Sequence, residues 1–307
     1  MFTIRHWQCI DSGQLTGAVK GATFHRTQTS KGVFCGSLLR AEIGRGVLDT
    51  GFYNRDLMTE GQFPKDTVTV AMFLDAKVET IFNGISLEPN DLSVIKPGTE
   101  TLYTIPAETR WASLQIKSED LRLLGVDFAN SKNKIFKKRS LSHYPFMTIL
   151  HSLVNRLQYS EDRHLTSFAP DIMYNHLVEN LAYLLTREQE QITLTHDRYQ
   201  QIAATVKRIL NDDITNIIQV SDLCHLTGQS ERTLERVCKK AFGLPPQRLL
   251  KSHRLKVVRK ALQSNTEEKL NISKLSMDYG FMHPSRFAGE YKNHFGELPS
   301  QTLTRNR

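Results

Sequence analysis

The spacing of hydrophobic positions changes along the chain. Val68, Val70, Met72 and Leu74 alternate with Thr67, Thr69, Ala71 and Phe73, and Ala112, Leu114 and Ile116 alternate with Trp111, Ser113, Gln115 and Lys117. A period of two predicts half-buried β-strands. Asn83-Gly84 is a hairpin turn signal, and Pro97-Gly98 and Ile105-Pro106 punctuate the end of this region. Short strands broken by turns suggest an antiparallel barrel or sandwich over roughly the first 120 residues.

A basic polar stretch, Asn130 to Ser140, follows and reads as a solvated linker. Then the period becomes helical. Phe146, Ile149, Leu150, Leu153, Val154 and Leu157 share one helix face, and Met173, Leu177, Leu181 and Leu184, with Leu185 beside them, form a second stripe. These two helices either pack on their own domain or pair with a second chain. Arg187 to Asp197 is polar and marks a boundary, and every later segment reads as helix.

The last ninety residues contain a repeat. Val220, Leu223 and Gly228 recur 52 positions later as Ile272, Leu275 and Gly280. Phe242-Gly-Leu-Pro-Pro recurs 53 positions later as Phe295-Gly-Glu-Leu-Pro. Each copy predicts a short helix, a glycine turn and a second helix. In the first copy Ser230 suits the N-cap, and Leu234, Val237, Cys238 and Ala241 form the buried stripe. In the second copy Pro284 suits the first helical position, while Phe287, Tyr291 and Phe295 pack inward. Between the copies, Pro246 to Leu262 predicts a basic helix carrying Arg248, Lys251, Arg254, Lys256, Arg259 and Lys260.

Charge sharpens this picture. The net charge is +8. Residues 218–307 hold 16 Lys/Arg against 8 Asp/Glu, while residues 1–217 hold 24 of each, so the whole excess lies with the repeat. A basic helical domain attached to a neutral one suits phosphate binding. A helix fits the major groove, where Arg can form two hydrogen bonds to guanine. The outward residues of the first repeat, Ser230, Arg232, Glu235, Arg236 and Lys239, and of the second, His283, Ser285, Arg286, Gly289 and Lys292, are therefore the candidate double-stranded DNA contacts. Arg232, Arg236 and Arg286 are the leading base readers, and Lys239, Lys240 and Lys292 the phosphate contacts. Glu235 either accepts from cytosine or pairs along its own helix.

Other chemistry finds little support. No HxH pair accompanies His25, and no paired nucleophile and base, phosphate-binding glycine loop or dinucleotide fingerprint is present. No enzyme activity, cofactor or metal is expected. No run reaches the ~18 apolar residues of a membrane helix. The four cysteines show no metal-ligand spacing, and no signal peptide is read at the start of the chain, so a reducing cytoplasm is expected.

Several segments resemble the AraC/XylS family of bacterial transcription regulators. They are Ser230-Glu-Arg-Thr-Leu-Glu-Arg, Phe242-Gly-Leu-Pro-Pro, Arg254 to Leu262, and Tyr279-Gly-Phe through Phe287 to Phe295-Gly-Glu-Leu-Pro-Ser300. Gly36-Ser-Leu-Leu-Arg, Pro97-Gly-Thr-Glu and Pro299-Ser-Gln-Thr-Leu303 are loosely similar to the ethanolamine-utilisation regulator branch. The resemblance implies a seven-helix domain with two helix-turn-helix units, and transcription control, usually activation through contact with RNA polymerase. It also implies a cupin-like N-terminal sensor. This chain departs from the pattern at Cys238, Pro284 and Gly289, and the last lacks a side chain for base reading.

The expected architecture is thus α+β. Residues 1–130 form a cupin-like sensor barrel, 131–190 a linker and helical segment able to dimerise the chain, and 198–307 an all-α DNA-binding domain of two tandem helix-turn-helix motifs. A small-molecule effector would sit in the barrel, where Phe34, Phe52, Phe73, Tyr103 and Trp111 are candidate lining residues. The alternative is an effector-independent regulator whose barrel only makes a homodimer.

Overall fold

The period-two segments become strands of two antiparallel sheets. The computed structural model describes residues 3–10, 17–128, 132–159, 169–187, 191–193, 198–213, 219–265 and 270–305. The larger sheet has the order β1 (Thr3–Ile10), β3 (Gly36–Ile43), β4 (Gly46–Tyr53), β11 (Thr109–Lys117), β6 (Thr67–Asp75), β9 (Leu92–Ile95), β12 (Lys134–Phe136) and β13 (Gln191–Thr193). The smaller sheet has the order β2 (Thr23–Gln28), β5 (Leu57–Gln62), β10 (Glu100–Ile105), β7 (Thr80–Phe82) and β8 (Ile85–Leu87). Neither sheet closes on itself among the described residues, so the arrangement is a pair of open sheets and not a closed barrel.

The strands are not half-buried. Val68, Val70, Met72, Ala112, Leu114 and Ile116 pack on one face of the larger sheet in a single hydrophobic cluster. The opposite phase is buried too: Phe73 and Trp111 join a second cluster between the sheets, and Thr67, Thr69, Ser113 and Gln115 are buried with them. The cause is a helical layer. Helices α3 (Pro145–Tyr159) and α4 (Pro170–Arg187) lay Phe146, Leu150, Leu153, Val154, Leu177, Leu181 and Leu184 into the first cluster. The helical stripes thus pack onto the chain's own sheet.

Two segments read as linkers join this layer as well. Within the basic stretch, β12 pairs with β9, and Lys137 Nζ lies 2.7 Å from Asp91 Oδ2, whose carboxylate is buried. Short helix α1 (Ser118–Leu123) precedes the stretch, and short helix α2 (Lys138–Leu141) begins within it. Of the expected boundary at Arg187 to Asp197, residues 188–190 and 194–197 lie outside the described residues, and β13 between them pairs with β12.

Seven helices follow among the described residues. They are α5 (Arg198–Asp213), α6 (Val220–Thr227), α7 (Glu231–Phe242), α8 (Pro246–Gln263), α9 (Ile272–Asp278), α10 (Pro284–Phe295) and α11 (Pro299–Arg305). Two small cores divide them. Ile202, Val206, Leu223, Leu234, Val237 and Phe242 pack in one, together with Met58 and Leu102 of the smaller sheet. Leu255, Val258, Phe281, Phe287, Tyr291 and Phe295 pack in the other. Helix α8 spans both, through Leu249 and Leu250 at one end and Leu255, Val258 and Leu262 at the other.

One backbone position in the smaller sheet demands glycine. Gly61 has φ +146°, and a Cβ there would lie 1.9 Å from the Thr23 carbonyl oxygen on the neighbouring strand. Gly61→Ala is expected to cost at least about 1–3 kcal/mol of strain and to lower the urea midpoint of the whole chain. An unchanged midpoint would show that β2 and β5 separate without loss.

Candidate nucleic-acid interface and effector cavity

Helices α6 and α7 are set by their ends. Gln219 N donates to Asp222 Oδ2 at 2.7 Å and starts α6, and Gly228, in the left-handed region at φ 63°, ends it. Ser230 Oγ accepts from Thr233 N at 3.2 Å and starts α7. The serine expected to reach DNA is thus occupied by capping. Leu234, Val237, Cys238, Ala241 and Phe242 bury the inner side of α7. Burial pushes the Cys238 thiol up to about 12, so it stays a neutral core group.

The outer side of α7 carries the candidate DNA contacts. Arg232, Arg236 and Lys239 are exposed and Glu235 is half-buried. Glu235 pairs with Lys239 at 2.9 Å one helical turn away, which is the structural alternative to cytosine reading. Arg236 is turned back: it hydrogen-bonds the Tyr199 hydroxyl of α5 and stacks over that ring at 5.4 Å. Lys240 approaches the same ring at 4.8 Å. Tyr199 was not legible as a partner, because its position opposite α7 depends on how α5 packs. Of the two arginines, Arg232 is thus the one left exposed without a contact to Tyr199.

The second helix pair is built alike. Asn271 caps α9 through Lys274 N at 3.0 Å, Gly280 turns the chain at φ 78°, and Pro284 opens α10 with His283 as its exposed N-cap residue. Phe287, Tyr291, His294 and Phe295 are buried, while Ser285, Arg286, Gly289 and Lys292 are exposed. Arg286 Nε and Lys251 Nζ both meet Glu290 Oε1, at 3.1 and 3.0 Å. A Cβ added at Gly289 would meet nothing within 4 Å, so the gap in this surface is real space.

The basic residues of α8 divide into two sets. Arg248, Lys251 and Lys260 are exposed. Arg254 is buried against the Gly280 turn, and Arg259 lies 4.4 Å over the Phe295 ring with Nη2 3.2 Å from Glu297 Oε1. Burial lowers the pKa values of Arg254 and Lys256. The inner set holds helices together and is withdrawn from any phosphate-facing surface.

The helical region docks on the outer face of the smaller sheet. Lys256 Nζ lies 3.9 Å from Glu60 Oε1, Asn211 Nδ2 donates to Glu60 Oε2 at 3.4 Å, and Gln200 Nε2 donates to the Asn83 carbonyl at 2.8 Å. At the end of α7, Gly243 packs against Thr104 and Ile81. At the end of α10, the loop after β2 supplies a cap: Gly32 N donates to the Asn293 and His294 carbonyls, both at 3.1 Å, and Gln28 Nε2 donates to the His294 carbonyl at 2.8 Å. The His294 Nε2–H donates in turn to the Gln28 carbonyl at 3.0 Å. Burial lowers the His294 pKa to about 4, so the docked ring is neutral.

A cavity opens between the two sheets. Of the expected lining residues, Phe73, Tyr103 and Trp111 face it. Phe34 lies outside its wall, in the same cluster, with its ring 5.9 Å from that of Tyr53. Phe52 is not in the wall either: its partner across β4–β11 is Arg110, whereas Tyr53 pairs with Thr109 and shares the inner face with Trp111. Tyr53, Phe63, Phe82, Arg26, Ser93 and Ser113 complete the main surface. Their polar members were hidden in the alternating pattern, where Ser113 reads as a solvent position. Among the described residues no group of three His, Cys, Asp or Glu is placed to hold a metal ion.

Comparison with known proteins agrees with the helical geometry. A family model described as a helix-turn-helix domain matches residues 223–305. XylDLEGF operon transcriptional activator 2 of Pseudomonas putida is 33% identical over 99 residues, 32% of this chain and 63% of that protein. Activator 3 of the same operon and organism is 31% identical over 102 residues, 33% of this chain and 31% of that protein. Over this region the chain is similar to transcriptional activators of the AraC/XylS type. It covers less than two thirds of either relative. Among solved structures, an AraC-type transcriptional regulator from Chromobacterium violaceum matches 35% of this chain and 93% of its own at 24% identity and TM-score 0.32. ToxT from Vibrio cholerae O395 matches 93% of this chain and 98% of its own at 14% identity and TM-score 0.30.

Two outcomes follow from this AraC/XylS-type surface. Gly289→Ala should stabilise the chain by about 0.5–1 kcal/mol, because it removes a helix-interior glycine without a clash; a lower melting temperature would mean that the site is filled by something else. His294→Gln tests the loop cap. The folded pKa of His294 lies below its unfolded value near 6.5, so its contribution is complete above that pH and is lost as pH falls toward about 4. In paired urea titrations from pH 7.5 to 4.5, the wild type should lose up to about 3 kcal/mol more than His294→Gln. Parallel losses would show that His294 stays uncharged for reasons unrelated to the cap.

Proposed function

We propose that this protein is a sequence-specific DNA-binding transcription regulator, acting as an activator like its named relatives. The observation that carries the reading is a pair of helices, α7 and α10, each with a buried inner side and an exposed outer side bearing Arg232 and Lys239, or Arg286 and Lys292. They form two tandem helix-turn-helix units joined by α8. Eighteen residues of α8 reach about 27 Å at 1.5 Å per residue, a length suited to placing the units in successive major-groove segments. Double-stranded DNA and RNA polymerase are the partners in this reading, and the cytoplasm is its place.

The cavity between the sheets is the effector site in this proposal, within a cupin-like sensor spanning residues 1–130 and joined by 131–190. The DNA-binding unit is 198–307. An effector would act through the smaller sheet, whose inner face lines the cavity, whose outer face holds the end of α7, and whose strand β2 ends at Gln28 against the end of α10. Exposed Ile172 and Tyr183, eleven residues apart and so on one side of α4, support a homodimer formed through that helix. An effector-independent regulator would keep the dimer and leave the cavity without a role.

The test is selection of bound sequences from a random duplex library by the full-length chain at ~150 mM salt. Two enriched blocks about one helical turn apart are expected. Arg232→Ala should weaken binding by roughly 1–3 kcal/mol and relax one base position, whereas Lys292→Ala should weaken all sequences alike. Failure to enrich any sequence, with and without cell extract, would overturn the regulator reading.

A further inference from the structure

On α10, Arg286 is held at one nitrogen and open at its tip. Its Nε donates to Glu290 Oε1 at 3.1 Å, one helical turn away, yet its side chain is 77% exposed. Among the described residues its two Nη groups meet no acceptor. Glu290 is itself fixed from a second helix, because Lys251 Nζ on α8 lies 3.0 Å from the same oxygen.

An exposed ion pair one turn apart contributes little to stability, and an acidic group beside a DNA-facing surface repels phosphate. What the arrangement supplies is direction. Lys251 ties Glu290 to the helix that joins the two units, and the group of three remains net positive. A guanidinium carries its N–H donors in a rigid plane. The Nε–H is spent on Glu290, and the Nη ends stay free as a two-pronged donor. Guanine offers two acceptors, O6 and N7, on its major-groove edge. An arginine already held in one orientation loses less side-chain freedom on docking than one that swings in solvent. A Cβ at Gly289 would meet nothing within 4 Å, so no side chain fills the approach to Arg286 from the next turn of the helix.

We propose that Glu290, anchored by Lys251, is a positioning residue that holds Arg286 ready to read one guanine. The proposal rests on the reading of α10 as a DNA-recognition helix and names how that helix gains its specificity. Glu290 touches no base; it acts through Arg286.

Sequence selection with the full-length chain, beside Arg286→Ala, locates the position: a guanine in one enriched block that Arg286→Ala no longer requires. Binding isotherms at ~150 mM salt then compare the selected duplex, duplexes with each other base at that position, and a random duplex. Glu290→Gln should lower the preference for guanine about two- to tenfold, the factor expected when the side chain must be ordered on binding. Binding to the random duplex should stay level or tighten, because a negative charge has been removed. Equal weakening on every duplex would show a purely structural role for Glu290 and overturn the proposal. An unchanged preference would overturn it too, as would an Arg286-dependent base other than guanine or no such position. If Glu290→Gln does not fold, Lys251→Met, which frees the carboxylate from α8, should lower the same ratio, and an unchanged ratio there would overturn the proposal. No enriched sequence at all would overturn the regulator reading itself, and the proposal with it.

Discussion

The smaller sheet is covered on both faces over most of its length, and the rest of the molecule is arranged around that constraint. One face lines the cavity and the other carries the helical region. Because side chains alternate along a strand, neighbours in sequence belong to different halves of the protein. On β5, Thr59 lies inward while Met58 and Glu60 meet the helices; on β10, Tyr103 faces the cavity while Leu102 and Thr104 lie under α5 and α7. A strand cannot shift its inner row without carrying its outer row along. The sheet is therefore a wall through which cavity and helices share one set of backbone bonds.

The same wall sorts the basic residues. A buried carboxylate at Glu60 calls for compensation, which Lys256 and Asn211 supply from α8 and α5. Arg254 and Arg259 are likewise spent on turns and rings inside the helical region. What remains outside, Arg232, Lys239, Arg286 and Lys292 with Arg248, Lys251 and Lys260, is a thinner positive surface than the residue count suggests. Net charge alone thus overstates the phosphate-facing surface, and the division between inner and outer sets locates it.

Local patterning made the helical half legible. Gly228 and Gly280, the Ser230 cap, Pro284 and the apolar stripes of α7 and α10 act within a few residues, so the chain shows them directly. The β-half was legible as strands but not as an arrangement. Burial on both faces erases the alternation between apolar and polar that marks inside from outside, so Phe52 reads as well as Tyr53, and Ser113 reads as surface. Docking was beyond reach for a further reason. Gln28 and His294 are 266 positions apart and neither belongs to a motif, so only packing brings them together.

That contact also says how a cavity event could reach DNA. Arg26 and Gln28 are two residues apart on β2 and point to the same side. The first faces the cavity and the second holds the last carbonyls of α10. These carbonyls have no partner inside the helix, so an outside donor must meet them or water must. The cap on α10 is therefore a bond that the sensor half can withhold. Its loss would leave the helix intact but free of the wall, while Gly243 against Thr104 and Ile81 would keep α7 in place. The two recognition helices would then differ in freedom, with α7 fixed and α10 released. On the proposed reading, a change at the cavity has only to favour one of these states to alter how α7 and α10 engage a duplex together.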